Sequence, residues 1–176
     1  MVASSWILGD AFYRLGKYTE ARDVLRRGSE VSALVDRRVW RPTLLAWFGS
    51  TMAALGAADD GDWEEALETA RSIGNRVGEA GILAKRAEAF VTRGDIDRAR
   101  PDAEAAIGIM TEFGLRPHLA RAQRAWGEAL RAAGLASEAE PHLERAATLF
   151  DELGLDAEAS AVRAEMALGK TRIAFD

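Results

Sequence analysis

The spacing of the glycines is the feature that most constrains the fold. Five glycines recur every 20 residues and two others are 40 residues apart: Gly74, Gly94, Gly114, Gly134 and Gly154, and Gly16 and Gly56. A fixed interval of this kind is typical of a repeat array. Twenty residues hold one helix and a turn, and glycine readily adopts the left-handed conformation that ends many helices. The interval therefore predicts successive helical hairpins.

The apolar residues repeat with the same period. Two segments 40 residues apart carry matching sets: Ala99, Ala103, Ala106, Ile107, Met110 and Phe113, and Ala139, Leu143, Ala146, Ala147, Phe150 and Leu153. Each set traces one stripe along a helix. Pro101 and Pro141 occupy the same place in the two segments. Because proline fits best in the first turn of a helix, we expect these helices to begin near Asp97 and Ser137, with those residues as caps.

These patterns predict an all-α fold, an α-solenoid of about four antiparallel helical hairpins with a C-terminal capping helix. The expected helices are 3–15, 18–35, 41–55, 62–73, 76–93, 97–113, 116–133, 137–153 and 156–168. The single domain 1–176 is divided into units at about 3–36, 41–74, 76–114 and 116–154, followed by the cap 156–168.

A small residue stands seven positions before the turn glycine in each first helix. These residues are Gly9, Gly49, Ala87 and Gly127, and an alanine lies across each hairpin: Ala21, Ala66, Ala99 and Ala139. Glycine inside a helix costs about 1 kcal/mol relative to alanine. We expect close packing of the two helices, small residue against small residue, to offset that cost.

At these positions the chain resembles a tetratricopeptide repeat (TPR) protein. The matching residues are Leu8, Gly9, Phe12, Gly16, Tyr18 and Ala21 in the first unit, Phe48, Gly49, Met52, Gly56, Trp63 and Ala66 in the second, and Trp126, Gly127, Leu130, Gly134, Ala136 and Ala139 in the fourth. The third unit departs from the motif because Arg86 replaces the large apolar residue. The 40-residue period is similar to the C-terminal arrays of bacterial signalling ATPase and cyclase-type regulators.

The resemblance implies a protein-interaction scaffold, part of a larger signalling or transcription-regulatory protein, whose partner is a protein or peptide. Because the chain has no cysteine, we expect the cytoplasm as its location. The alternative is a domain that senses a small-molecule effector. In such arrays the first helices line a concave groove. The corresponding residues are Trp6, Asp10, Tyr13 and Arg14 in the first unit, Glu88 in the third, and Arg121, Arg124, Glu128 and Arg131 in the fourth.

The groove residues leave two interpretations open. Arg121, Arg124 and Arg131 share one helix face and would attract an acidic or carboxylate-bearing ligand. Alternatively they form a solvated face, with Glu128 four residues from Arg124. The tryptophans are ambiguous too: Trp63 and Trp126 fall on motif positions and are expected in the core, whereas Trp6, Trp40 and Trp47 are either packed or exposed as ligand anchors.

Composition argues against other function classes. The chain has no cysteine and a formal net charge of −5, so we expect no thiolate metal site and no broad contact with nucleic acid. No apolar run is long enough to span a membrane. The acidic stretch 59–65 lacks the ligand spacing of a calcium loop, and neither His118 nor His142 has a nucleophile nearby in sequence. We therefore expect no enzyme activity, no cofactor and no metal.

The first hairpin begins with almost no preceding residues that would cover it. Trp6, Tyr13 and Val24 are the residues expected to leave apolar surface open there. Because each unit of a repeat array buries its neighbour's face, an uncovered first hairpin predicts self-association. We expect a homodimer formed through this N-terminal hairpin.

Overall fold

The computed structural model describes residues 2–34, 41–56 and 60–173. In these ranges the regular elements are all helices: α1 Val2–Arg14, α2 Tyr18–Leu34, α3 Arg41–Ala54, α4 Asp60–Ser72, α5 Arg76–Thr92, α6 Ile96–Glu112, α7 Arg116–Ala132, α8 Ala136–Glu152 and α9 Asp156–Ile173. The predicted all-α fold of helical hairpins followed by a final helix is confirmed. Most predicted boundaries differ by one residue, and the largest difference is that α9 continues to Ile173.

The turn glycines explain why the helices end where they do. All seven have positive φ, between 63° at Gly114 and 80° at Gly134. After six of these glycines (the residue after Gly56 lies outside the described ranges), the next residue donates its N–H to the carbonyl five residues earlier, as from Asp95 to Phe90 at 2.9 Å and from Leu135 to Leu130 at 2.9 Å. The same hydrogen-bonded helix end is thus repeated along the chain, as the glycine spacing predicts.

The chain forms two compact units, Met1–Ala106 and Ile107–Asp176, with the division inside α6. In the first unit α1 packs against α2, and α3 packs against α1, α2, α4 and α5. In the second unit α7 packs against α8, and α8 packs against α9.

Three glycines in the first helices of their hairpins pack closely against the second helices, as predicted, and large side chains make the nearest contacts. A Cβ on Gly9 would lie 2.5 Å from the side chain of Leu25, and one on Gly49 would lie 2.5 Å from Trp63. A Cβ on Gly127 would lie 2.7 Å from Leu143, whereas Ala139 approaches it only through its carbonyl oxygen, at 3.2 Å. A large side chain from the second helix therefore fills the space that each of these glycines leaves, and at Gly127 the backbone of the predicted Ala139 approaches as well.

The helix starts predicted near Asp97 and Ser137 are confirmed to within one residue, but neither residue is the cap and neither proline is in the first turn. Helices α6 and α8 begin at Ile96 and Ala136, which places Pro101 and Pro141 inside them. The side chain of Asp95 caps α6 by accepting the N–H of Arg98 at 3.2 Å. Each proline frees a carbonyl four residues earlier, on Asp97 or Ser137. Both residues are exposed, so water can hydrate these carbonyls.

The core follows the predicted stripes, except that Ile107 and Leu153 are half-buried and Phe113 is exposed. Ala99, Ala106, Leu143 and Phe150 are at most 2% exposed, but Phe113 is 47% exposed. Phe113 follows Glu112, the last residue of α6, and therefore lies outside the helix that buries the rest of the stripe. The apolar periodicity of the sequence therefore extends one residue beyond the helix at this position.

Arg86, which departs from the repeat motif, is held by a buried carboxylate. It donates hydrogen bonds from Nε and Nη2 to the two oxygens of Asp102, at 2.6 and 2.8 Å, and from Nη1 to Glu64 at 2.5 Å. The hydrogen bond to Asp102 is the main reason that the pKa of the Arg86 guanidinium is raised. In the hairpin of α7 and α8 the corresponding residues are Trp126 and His142. The third hairpin thus has an ion pair at a position where the repeat motif has a large apolar residue.

Candidate functional site

The first unit brings side chains from three first helices onto one surface. Because α3 packs against both α1 and α5, Tyr13 of α1, Trp47 of α3, and Lys85 and Glu88 of α5 lie together. We call these four residues the aromatic cluster. The Tyr13 and Trp47 rings meet edge to face, with centroids 5.4 Å apart and planes at 75°. Tyr13 makes a similar contact with Tyr18, at 5.4 Å and 62°.

Within the aromatic cluster, the ammonium of Lys85 lies close to the other three residues. Lys85 Nζ lies 4.5 Å from the Trp47 ring centroid and 6.0 Å from that of Tyr13. The same nitrogen donates a hydrogen bond to Glu88 Oε2 at 2.9 Å. Two ring faces and one carboxylate, contributed by three helices, therefore surround a single cation.

Electrostatics at Tyr13 reflect this arrangement. Burial raises the pKa of the Tyr13 phenol above its ordinary value, and the charge of Glu88 and the neighbouring Tyr18 raise it further. Tyr13 is consequently a neutral hydrogen-bonding group at physiological pH. The structure thus places two predicted site residues, Tyr13 and Glu88, within electrostatic reach of each other.

Sequence reasoning did not assign Lys85 to the site. It stands two positions before the small residue Ala87, as Trp47 stands two positions before Gly49. This shared register was the available signal, because equivalent positions of adjacent hairpins lie next to each other. The contact between a lysine and a tryptophan at those positions could not be read from the motif, which leaves both positions unspecified.

The remaining predicted residues of the first unit lie at its edge. Arg14 Nε donates to Asp10 Oδ1 at 2.7 Å within one helix turn, and the Arg14 side chain is 72% exposed. Trp6 is half-buried and packs with Trp47 against the cluster of Ala21, Leu25 and Leu44. Trp6 therefore contributes to the packing of the hairpin.

The other tryptophans divide as the motif predicts. Trp63 is 0% and Trp126 is 3% exposed, which confirms both as core residues. Trp47 is half-buried, so it both packs in the core and contributes to the surface. Trp40 lies outside the described residues.

In the second unit, two predicted arginines are engaged by α9. Arg124 donates from Nε to Glu128 at 2.6 Å and from Nη2 to Glu165 at 2.7 Å. Arg131 donates to the carbonyl oxygen of Glu165 at 2.6 Å. The hydrogen bond to Glu128, ahead of the interaction with Glu165, raises the pKa of Arg124.

Arg121 differs from these two arginines. It is exposed and makes no ion pair with any residue in the described part of the chain. The predicted arginine face is therefore present on α7, with the charges of Arg124 and Arg131 balanced by Glu128 and Glu165 and that of Arg121 open to solvent.

Two further structural observations bear on function. Among residues 2–34, 41–56 and 60–173, no three His, Asp or Glu side chains are grouped as a metal site would require. No described helix combines the length and apolar character needed to cross a membrane.

Comparison with known proteins supports the fold. No protein-family model matches the chain, and no curated protein sequence matches it significantly. The structure is similar to the crystal structure of a thermophilic TPR protein from Thermus thermophilus, with a TM-score of 0.52 and 22% sequence identity. The match covers 94% of this chain and 90% of that one. The TPR-like fold expected from the repeat motif is confirmed.

Proposed function

We propose that the chain is a non-catalytic protein-interaction module that binds an extended segment of a partner protein across the surface formed by α1, α3 and α5. The TPR fold is in general the fold of a protein-interaction scaffold. The observation that carries the proposal is the aromatic cluster, in which Tyr13 and Trp47 from adjacent hairpins are only half-buried.

The chemistry of this surface suits a peptide. Tyrosine and tryptophan supply much of the binding energy at protein interfaces, particularly where polar groups surround them. Asp10, Arg14, Lys85 and Glu88 provide such a polar margin, and their exposed ion pairs cost little to rearrange. A partner segment can therefore exchange hydrogen bonds with them while it covers the rings.

The cellular setting forms part of the proposal. The 40-residue period supports a regulatory segment of a larger bacterial signalling or transcription-regulatory protein in the cytoplasm. A small-molecule effector is the alternative ligand, because Arg121 on α7 offers an open cation beside the balanced pairs of Arg124 and Arg131. A thermal-shift screen with metabolites distinguishes the two, since a specific effector raises the melting temperature by mass action.

Peptide display provides the direct test. The immobilised chain selects peptides from a random library, and the selected pool is then offered to Trp47→Leu, which keeps an apolar side chain at the position. Phe113→Leu is the matched control because Phe113 is an exposed aromatic residue outside the surface, 47% accessible. We expect the selected peptides to bind Phe113→Leu as they bind the unmodified chain, and to lose their binding to Trp47→Leu. Equal binding to both variants places the site elsewhere.

Self-association is a second candidate function, supported by one face of α1. Ile7, Leu8 and Leu15 are 62%, 46% and 70% exposed, and with exposed Ala11 they form one stripe that we call the outer α1 face. The predicted open residues Trp6, Tyr13 and Val24 are instead half-buried. The expected apolar surface therefore exists, but it consists of different residues.

Comparison of the hairpins shows what distinguishes this face. The residues equivalent to Ala11 in the other three hairpins are Thr51, Ala89 and Ala129, which are 0%, 5% and 7% exposed. Only in the first hairpin is this position exposed among the four described. This position is thus usually buried within the chain. A second copy of the chain would bury it in the first hairpin too.

The spacing of the outer α1 face suits a twofold dimer. Ile7 and Leu15 lie four residues on either side of Ala11. A twofold axis near Ala11 would set Ile7 of one protomer against the partner's Leu15, with the small alanines at the closest approach. We propose that the homodimer forms through this face.

A further inference from the structure

We propose that Tyr13, Trp47 and Glu88 form a receptor for a cationic side chain of the partner segment, a lysine or an arginine, and that Lys85 is an internal occupant which that cation displaces. The inference rests on the proposed function, because it names the chemistry that the α1, α3 and α5 surface selects.

Lys85 shows which ligand the site accepts. Its Nζ lies 4.5 Å from the Trp47 ring centroid and 2.9 Å from Glu88 Oε2. A ring face and a carboxylate both attract positive charge, and neither attracts a carboxylate or a phosphate. The three groups come from three different helices, so the site is formed by the packing of α1, α3 and α5 together.

The internal occupant is able to leave. The Lys85 side chain is 25% exposed and that of Glu88 is 51% exposed, so the pair lies at the surface. The flexible lysine stem can rotate into water, where the ammonium is well solvated. Exchange of one cation for another leaves the charge of the site unchanged, so no buried charge is left without a partner.

The field at Tyr13 supports a cationic ligand over an anionic one. Burial raises the pKa of its phenol, and the charge of Glu88 raises it further. Once Lys85 has left, the Glu88 carboxylate therefore disfavours additional negative charge near Tyr13. If Lys85 instead served to bind an acidic ligand, that ligand would have to approach Glu88 and the ring faces as well.

The test uses small cations and removes the internal occupant. Lys85→Met keeps an unbranched side chain and a good helix former at the position. The probes are tetramethylammonium chloride and Nα-acetyl-lysine amide, with ionic strength held constant by sodium chloride. Nuclear magnetic resonance follows the Trp47 indole N–H, assigned by its disappearance in Trp47→Phe. Melting temperature and circular dichroism establish that each variant is folded.

We expect both probes to shift the Trp47 signal, and to bind Lys85→Met about three- to tenfold more tightly than the unmodified chain. The matched control is Arg14→Met, which removes one positive charge from the same surface without vacating the ring faces. If electrostatic attraction alone were responsible, the two variants would gain equally. A gain confined to Lys85→Met supports displacement, and an equal gain overturns it.

Two further results would overturn the inference, and a third would contradict only the proposed function. A Trp47 signal that neither probe moves in Lys85→Met overturns the cation site. Sodium acetate that shifts Trp47 in the unmodified chain but not in Lys85→Met would show that Lys85 binds anions, and the inference would be wrong while peptide binding remained. Conversely, cation binding without any Trp47-dependent peptide from the display library would contradict the proposed function alone.

Discussion

Arg86 on α5 and Asp102 on α6 form a two-pronged ion pair, with Nε to Oδ2 at 2.6 Å and Nη2 to Oδ1 at 2.8 Å. The Arg86 and Asp102 side chains are only 14% and 7% exposed. Arg86 occupies the position where the other hairpins carry the large apolar residues Leu8, Phe48 and Trp126. An ion pair therefore joins the two helices of the third hairpin at this position.

Breaking this ion pair should destabilise the protein strongly. Arg86→Ala leaves the Asp102 carboxylate buried without its cation, at a cost of about 3 kcal/mol. The double variant Arg86→Leu with Asp102→Leu places apolar side chains at both positions and should be near neutral, because apolar replacement of a buried pair often is. Urea denaturation followed by circular dichroism measures both. A double variant as unstable as Arg86→Ala would contradict this account of the pair.

Replacing each of two helical glycines with alanine should change the stability of the protein in opposite directions. Gly49→Ala places a Cβ 2.5 Å from the ring of Trp63, a fully buried side chain, and should cost about 1–3 kcal/mol. Gly81→Ala meets nothing within 4 Å and should gain about 1 kcal/mol from helix propensity. Denaturation midpoints of the two variants are compared directly. A midpoint that rises in Gly49→Ala as well would mean that Gly49 is not held by close packing.

Stability should fall in acid partly because of Glu79. Burial alone would raise the pKa of this carboxyl, but hydrogen bonds from Arg71 and Arg76 outweigh burial and hold the pKa below its ordinary value. A pKa lowered by folding contributes stability above the unfolded-state pKa, and that stability is lost as the pH falls through the folded-state pKa. Glu79→Gln should therefore be less stable than the unmodified chain at neutral pH.

The same variant should lose less stability on acidification, so that the two unfolding curves converge toward low pH. Glu104→Gln is a suitable control because Glu104 is exposed on α6. Melting temperatures measured from neutral to acid pH test the point. Parallel curves for the unmodified chain and Glu79→Gln would contradict a role for this carboxylate in acid stability.

Self-association should depend on the outer α1 face. Leu15→Glu places a charge at a residue that is 70% exposed and should shift the protein toward the monomer. Leu55→Glu is the matched control, because Leu55 is the equivalent residue of the second hairpin and is 39% exposed. Sedimentation over a wide concentration range separates the outcomes. A monomer at every concentration in the unmodified chain means that this face does not form a homodimer.

Local features of the fold were predictable from sequence because they depend on a few adjacent residues. The left-handed glycine at Gly94 and the helix that begins two residues later are set by one turn motif. The place of Pro101 within α6, beyond the first turn, was not predictable in this way. A proline is tolerated there because the carbonyl of exposed Asp97 can be hydrated, and exposure depends on how the hairpins pack.

Contacts between helices were predictable only in kind. The small residue Gly9 indicates close packing, but its contact with Leu25 depends on the rotation of α2 about its axis. The site shows the same limit. Tyr13 and Glu88 were expected on one surface, whereas the ammonium of Lys85 over the Trp47 ring follows from the spacing of three helices, which no repeat motif encodes.

The affinity of a display-selected peptide for three forms of the chain tests the central claim most directly. Fluorescence polarisation of the labelled peptide gives dissociation constants for the unmodified chain, Trp47→Leu and Phe113→Leu. Because truncating an interface hot spot costs at least about 2 kcal/mol, we predict a loss of about thirtyfold for Trp47→Leu and no change for Phe113→Leu. Equal affinities for all three forms would contradict a binding site on the α1, α3 and α5 surface.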